Sequence, residues 1–180
     1  MEIAGYPATL IEFTAPTVRI SLYTVSNLEE IVDRDALLRA ESPPDPPYWA
    51  HLWIGARALA RVLATSGDLH GKRVLDLGCG LGLTGLVAAR LGAEVWFADR
   101  EAAALDFVRA SAACNALERL RLVEVDFSRE SLDADFDLIL GAEIVYDPQA
   151  YAPLAEFLDR HLRPDGSLYL TDAFRLAGAV

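Results

Sequence analysis

The stretch Val74-Leu-Asp-Leu-Gly-Cys-Gly-Leu-Gly82 decides the fold. It is typical of a buried strand that runs directly into a turn, with glycines at positions 78, 80 and 82. Glycine leaves no Cβ between the backbone and a ligand, and it supplies the positive φ that such a turn needs. After a helical segment, a second apolar strand follows and ends in Asp99. Because an acid at that position can accept hydrogen bonds from ribose hydroxyls, the stretch predicts a nucleoside site at the edge of a parallel sheet.

Two nucleotide-binding patterns compete for this stretch. Counted from Gly80, it fits the dinucleotide pattern G-x-G-x-x-G. In that pattern, however, the first glycine directly follows the strand. Here that residue is Gly78, and Leu83 then stands where the third glycine belongs. Counted from Gly78, the run is G-x-G-x-G with Asp76 inside the preceding strand. This arrangement resembles motif I of the class I (seven-β-strand) S-adenosylmethionine-dependent methyltransferases.

Length and composition indicate a single domain. The chain has 180 residues, of which 53% are hydrophobic, and this is enough for a single core. No apolar run is long enough to span a bilayer, and Glu2 stands where a signal peptide would carry basic charge. The two cysteines, Cys79 and Cys114, have neither zinc-site spacing nor the pattern of a disulfide framework. We expect a cytoplasmic protein with no metal site and no membrane contact.

Residues 1–45 are predicted to form an N-terminal extension. The segments 8–13 and 18–24 alternate in polarity or are rich in β-branched residues, which favours a hairpin. A capping-box spacing that starts at Ser26 predicts a helix over about 28–39. Prolines then break regular structure before the core begins.

Residues 46–180 are predicted to form the core, in one compact unit with the extension. Helical periodicity over 49–64 comes first, and strands and helices alternate after Lys72. Strands are predicted near 73–77, 94–98, 120–125, 136–141 and 167–172, and helices near 83–91, 101–115 and 149–162. Strands joined by helices indicate a Rossmann-like, doubly wound parallel sheet with right-handed crossovers.

Three blocks of the chain resemble one methyltransferase family. They are residues 46–53 (Pro-Pro-Tyr-Trp-Ala-His-Leu-Trp), 74–99 and 140–147 (Leu-Gly-Ala-Glu-Ile-Val-Tyr-Asp). Together they are similar to methyltransferase family 16, which includes the electron-transfer-flavoprotein β-subunit lysine methyltransferase and its bacterial relatives. The resemblance implies a protein-lysine N-methyltransferase that uses S-adenosylmethionine and acts on a protein substrate.

Glu143 and Tyr146, in the third block, are the catalytic candidates. They lie just past the carboxyl end of a predicted strand, where open α/β sheets bind their ligands. A carboxylate and a phenol three residues apart can shape a site for an amine. Because methyl transfer is an in-line displacement, it mainly requires alignment and a neutral amine. The three histidines, His51, His70 and His161, show no pairing that indicates a general base.

The resemblance also implies which residues bind the cofactor. Trp53 follows Trp49 by four residues on the predicted helix, and its aromatic face suits a sulfonium cation; a place in the core is the alternative for both rings. Asp126 and Phe127 resemble the pair that contacts adenine. The predicted cofactor-binding set is Trp53, Asp76, Gly78, Cys79, Gly80, Gly82, Asp99, Arg100, Asp126, Phe127 and Ala142.

Two other functions stay open, and one is rejected. The same core could serve a small-molecule amine or pyridine N-methyltransferase, or a truncated, non-catalytic nucleoside-binding subunit. The tetrapeptide Asp45-Pro-Pro-Tyr48 spells a signature of methyltransferases that modify bases, but that signature works at the end of the fourth strand. Binding to nucleic acid would require a basic stripe, which the chain, with its net charge of −11, does not show. We therefore expect no nucleic-acid partner.

The C-terminus departs from the class I pattern. Such enzymes usually end in two more strands after strand five, the last of them antiparallel. This chain stops at Val180, eight residues past Asp172, so we expect those two strands to be missing. Strand five would then be an exposed edge that can pair with a partner, while the sequence leaves the oligomeric state open.

Overall fold

The computed structural model describes residues 1–28 and 47–173. An N-terminal antiparallel sheet contains three strands: β1 (Glu2–Ile3), β2 (Tyr6–Ala15) and β3 (Val18–Val25). The strands that follow are β4 (Arg73–Leu77), β5 (Glu94–Asp99), β6 (Leu120–Glu124), β7 (Phe136–Ala142) and β8 (Leu162–Thr171). The helices are α1 (Ile54–Leu63), α2 (Leu83–Arg90), α3 (Ala102–Cys114) and α4 (Tyr151–His161).

The five core strands form a parallel sheet in the order β6-β5-β4-β7-β8. Alternate residues of a strand point to opposite faces, and β4 shows both faces buried. Val74 packs in the apolar cluster that includes α1, α2 and α3, whereas Leu75 and Leu77 pack in the cluster that includes α4. Helices on both faces confirm the predicted doubly wound architecture. The strand order reverses beside β4, so the ends of β4 and β7 flank the switch point.

The N-terminal hairpin packs on α3, where two side chains form hydrogen bonds with the backbone at the outer edge of β3. The Asn115 amide accepts a hydrogen bond from Ser21 N and donates one to Ser21 O, at 3.0 and 2.6 Å. Tyr23 N donates to Ser111 Oγ at 2.9 Å. The free edge of β3 is therefore partly satisfied by α3. The predicted helix over 28–39, apart from its first residue, and the predicted boundary between the extension and the core lie outside the described residues.

The continuous helix predicted over 49–64 is wrong. A short 3₁₀ turn spans Tyr48–Ala50, the chain then runs extended, and α1 begins only at Ile54. Tertiary packing explains the break: the Trp49 ring is buried, with its centroid 5.2 Å from Tyr6 and 5.5 Å from Phe107. Trp53 therefore has an extended backbone and is the N-cap residue of α1. The two tryptophans do not share a helix face.

The last strand also begins earlier than predicted. Phe136 pairs with Leu162, and Leu138 pairs with Ser167, so the four residues 163–166 are accommodated as an irregularity inside β8. These four residues, which lie between the predicted helix near 149–162 and the predicted strand near 167–172, are thus part of the strand. Among the described residues, β8 pairs with β7 alone, and Tyr169 and Leu170 are partly exposed on it. Pairing of this edge with a partner stays a prediction.

Candidate active site

The glycine turn after β4 forms the floor of a cavity at the carboxyl edge of the sheet. Gly82 caps α2 with φ 77°, and a Cβ there would lie 2.6 Å from Val108 Cγ2. Gly78 has φ 59°, and its Cβ would lie 2.7 Å from Ile144 Cγ2. Both positions combine a left-handed backbone with a close neighbour, so glycine is required at each. Burial raises the pKa of the Cys79 thiol, which keeps this part of the floor uncharged.

Asp76 holds the turn to the helix that follows it. Its carboxylate accepts hydrogen bonds from Thr84 Oγ1 at 2.7 Å and from Gly85 N at 2.8 Å. These groups belong to the first turn of α2, whose N–H groups have no partner within the helix. Burial raises the pKa of Asp76 to about 7, although the two hydrogen bonds act in the opposite direction. Asp76 therefore shapes the cavity through α2.

Asp99 closes the adjacent side of the cavity. Its Oδ2 accepts a hydrogen bond from Gly80 N at 2.8 Å, and its Oδ1 accepts one from Glu101 N at 3.0 Å. Burial raises the pKa of this carboxyl, while the two backbone donors lower it. Each oxygen retains a lone pair after these bonds, so the carboxylate can still accept from ligand hydroxyls. The residue ties the glycine turn to the end of β5.

Asp126 and Phe127 follow β6, the next strand of the sheet. The Asp126 carboxylate accepts from Ser128 N at 3.0 Å and from Ser128 Oγ at 2.6 Å. The Ser128 hydroxyl is the largest influence on the pKa of Asp126, which lies below its usual value. An ionised acid beside an aromatic ring can bind a heterocycle that carries an amino group. Phe127 itself lies 6.3 Å from Phe157 between ring centroids.

Glu143 directly follows β7 and is buried, with 4% of its surface exposed. Its Oε1 accepts a hydrogen bond from Gly55 N at 3.1 Å, and its Oε2 accepts one from Ala173 N at 3.2 Å. Its own N–H donates to Thr171 O at 2.8 Å. Its backbone is left-handed, with φ 60°. The carboxylate lines the cavity, but it also connects three segments of the chain.

Four aromatic side chains line the mouth of the cavity: Tyr48, His51, Trp53 and Tyr146. The Tyr48 ring lies 5.5 Å from Tyr146 and 6.2 Å from Trp53, and His51 lies 4.5 Å from Trp53. Tyr48 and Tyr146 are each about 40% exposed. We call this set the aromatic rim.

The cavity brings together every site residue that the sequence predicted, from Trp53 through Tyr146. Sequence reasoning missed Tyr48, His51 and Thr84, which line the same cavity. The sequence did indicate Tyr48 and His51, since both lie in the block 46–53 that resembles the family. Thr84 gave no local signal, because its partner Asp76 is eight residues away. Within residues 1–28 and 47–173, no group of three or more His, Cys, Asp or Glu side chains could hold a metal ion.

The fold and the site together define a Rossmann-like α/β protein of the class I methyltransferase type, with its cavity at the carboxyl ends of the strands. A family model matches residues 48–173. The chain belongs to this family, the methyltransferase small domain.

Named relatives are similar to most of this core. The chain is 40% identical over 129 residues to the protein N-lysine methyltransferase METTL21A of Danio rerio, covering 67% of this chain and 58% of the relative. It is 33% identical over 134 residues to the electron transfer flavoprotein beta subunit lysine methyltransferase of Xenopus laevis, covering 71% and 52%. The predicted resemblance to methyltransferase family 16 is confirmed. The chain spans between half and three fifths of the length of these relatives.

Solved structures support the fold. The T. thermophilus 16S rRNA N2 G1207 methyltransferase in complex with AdoMet and guanosine superposes with a TM-score of 0.61 at 22% identity, covering 91% of this chain and 42% of that one. Coclaurine N-methyltransferase bound to N-methylheliamine and SAH gives 0.58 at 21% identity, covering 64% and 34%. At these identities the likeness shows the sheet and helix arrangement alone. No helix in the described part of the chain is long and apolar enough to cross a membrane.

Proposed function

We propose that this protein is an S-adenosylmethionine-dependent N-methyltransferase that modifies lysine side chains of a protein. One observation carries the proposal: the acids of a nucleoside site, Asp99 and Asp126, share a single cavity with Glu143 and Tyr146. A nucleoside region and an amine region in one cavity are what a methyl transfer between the two requires.

The donor side of the cavity fits the cofactor. Asp99 keeps lone pairs for ribose hydroxyls, and Asp126 with Phe127 suits the exocyclic amine and one face of adenine. The glycine turn brings backbone close to the ligand, and Trp53 offers an aromatic face to a cation. When bound, S-adenosylmethionine supplies a methyl group on a sulfonium that is open to in-line attack.

The acceptor side consists of Glu143 with Tyr48 and Tyr146 of the aromatic rim. The negative potential of a buried carboxylate and the ring faces of Tyr48 and Tyr146 favour a cationic lysine head at the mouth. Loss of the ammonium proton to water then leaves the neutral amine, whose lone pair the Tyr146 hydroxyl dipole orients. Alignment dominates this chemistry, so a dedicated general base is unnecessary.

The relatives favour lysine over other acceptors. Both proteins of at least 33% identity described above carry lysine methyltransferase in their names. The net charge of −11 also favours a basic protein segment and disfavours nucleic acid. We therefore place the substrate among proteins, and we propose the cytoplasm as the compartment.

The decisive experiment is incubation of the protein with methyl-labelled S-adenosylmethionine and cell lysate. We expect a labelled protein band whose acid hydrolysate contains methyl-lysine, and we expect Asp99→Ala to weaken it. Glu156→Gln changes an exposed acid on α4 and serves as the matched control. Label confined to small molecules would contradict the lysine assignment. If calorimetry detects no binding of S-adenosylhomocysteine, the proposal that the protein is a methyltransferase is refuted.

A further inference from the structure

The start of α1 lacks the local sequence that usually stabilises a helix N-terminus. Its N-cap residue is Trp53, whose indole N–H can only donate and so cannot accept from the first backbone N–H groups of the helix. The first turn also contains no acid to interact with the helix dipole. Such a start needs an acceptor from elsewhere in the chain.

Glu143 supplies that acceptor from 88 residues away. Its Oε1 accepts from Gly55 N, the amide of the second residue of α1, at 3.1 Å. We infer that Glu143 is a positioning residue, whose carboxylate fixes the N-terminus of α1 and thereby the wall that Trp53 forms in the cavity. This inference rests on the proposed function and deepens it. We call the contact between Glu143 and Gly55 the clasp.

The clasp requires glycine at position 55. A Cβ on Gly55 would lie 2.5 Å from Glu143 Oε1 and 2.9 Å from Glu143 Cγ, and also 2.9 Å from Thr171 Oγ1. Any side chain at this position would therefore push the carboxylate away. Glycine is a poor helix former, so its presence here is explained by this close approach.

Glu143 is held firmly enough to serve as an anchor. Its left-handed backbone, φ 60°, is unfavourable for a residue with a Cβ and persists only where surrounding contacts enforce it. Those contacts are its N–H bond to Thr171 O and the bond from Ala173 N to its Oε2. The carboxylate is thereby fixed to the end of β8 on one side and to α1 on the other.

The clasp connects directly to the aromatic rim. Trp53 precedes the clasped turn, its Nε1 donates to Tyr48 O at 2.9 Å, and its ring contacts His51. A shift of the α1 N-terminus therefore moves three of the four rim residues. Since in-line transfer is sensitive to displacements of about 1 Å, loss of the clasp should slow the reaction strongly.

The test compares Glu143→Gln, Glu143→Ala and Gly55→Ala, with Glu156→Gln as control, in the full chain. In Glu143→Gln the side-chain carbonyl can still accept from Gly55 N, but the side chain carries no charge, and its NH2 group cannot accept from Ala173 N. We expect kcat/KM for the protein acceptor to fall at least ~10-fold in Glu143→Ala and Gly55→Ala, and to fall clearly less in Glu143→Gln than in Glu143→Ala. We expect S-adenosylhomocysteine affinity to change less than these rates.

Amide hydrogen exchange of Gly55, measured by NMR, reads the clasp without any turnover. We expect exchange at least ~10-fold faster in Glu143→Ala and near wild type in Glu143→Gln. The inference is overturned if Gly55 stays protected in Glu143→Ala, or if Gly55→Ala is as active as wild type. It is also overturned if Glu143→Gln and Glu143→Ala are equally impaired, because charge would then be the decisive property. If wild type methylates no lysine, the proposed function fails, and the exchange comparison still decides whether the clasp exists.

Discussion

Replacing Asp76 by Asn should change the pH dependence of stability more than the fold itself. Asp76 is 1% exposed, and its carboxylate accepts from Thr84 Oγ1 and Gly85 N. An asparagine fits this arrangement, because its Oδ1 can accept from Gly85 N while its Nδ2 donates to Thr84 Oγ1. The substitution therefore removes a titrating group and keeps two hydrogen bonds.

The magnitude follows from the raised pKa of Asp76. The folded-state pKa is about 7 against an ordinary value of 3.8, so the folded protein binds more protons than the unfolded chain between these values. Asp76 contributes its full stabilisation of the folded state below about pH 4, and this contribution is lost as the pH rises to about 7. The full loss corresponds to about 4 kcal/mol, of which roughly 2–3 kcal/mol falls between about pH 5 and pH 8.

Urea unfolding of wild type, Asp76→Asn and the control Glu156→Gln across this pH range measures the effect. The free energy of unfolding of Asp76→Asn should rise relative to wild type by roughly 2–3 kcal/mol from about pH 5 to pH 8. The control should show no such divergence. A difference between Asp76→Asn and wild type that is constant with pH would mean that Asp76 ionises normally in the folded state, and it would refute the argument from burial.

Three further substitutions test the site. Asp99→Ala should weaken S-adenosylhomocysteine binding by roughly 1–3 kcal/mol in calorimetry, because ligand hydroxyls lose a buried acceptor; unchanged affinity would remove Asp99 from the ribose role. Tyr146→Phe should lower kcat more than cofactor affinity, and the opposite pattern would place this residue on the cofactor side. Gly82→Ala should destabilise the protein by at least about 1 kcal/mol in urea unfolding, since it combines φ 77° with a Cβ 2.6 Å from Val108; a neutral effect would show that the turn relaxes easily.

Local patterns predicted most of the core correctly. The strand over 73–77 and the helix over 83–91 were found within a residue of β4 and α2. These elements depend on apolar periodicity and on glycine positions, which are properties of neighbouring residues. The predicted cavity residues also came together, because successive parallel strands must end at the same edge of the sheet.

The predictions failed where distant contacts outweigh periodicity. Trp49 has helical spacing to Trp53, but its burial against Tyr6 and Phe107 breaks the helix before α1. The segment 163–166 has turn composition, but Leu162 and Ser167 on either side of it both pair with β7, so it becomes an irregularity inside β8. In both cases contacts between distant parts of the chain, rather than local propensity, decide the outcome.

The sequence alone determined the order of strands and helices, the glycine turn after β4 and the acids at the carboxyl ends of β4, β5 and β7. Spacing along a few residues encodes each of these features. The tertiary structure alone decided what those acids do. Asp76 caps α2, and Glu143 caps α1 from 88 residues away. A helix N-terminus needs an acceptor within hydrogen-bond distance, and the packing of the sheet, which no local pattern contains, brings Glu143 to Gly55.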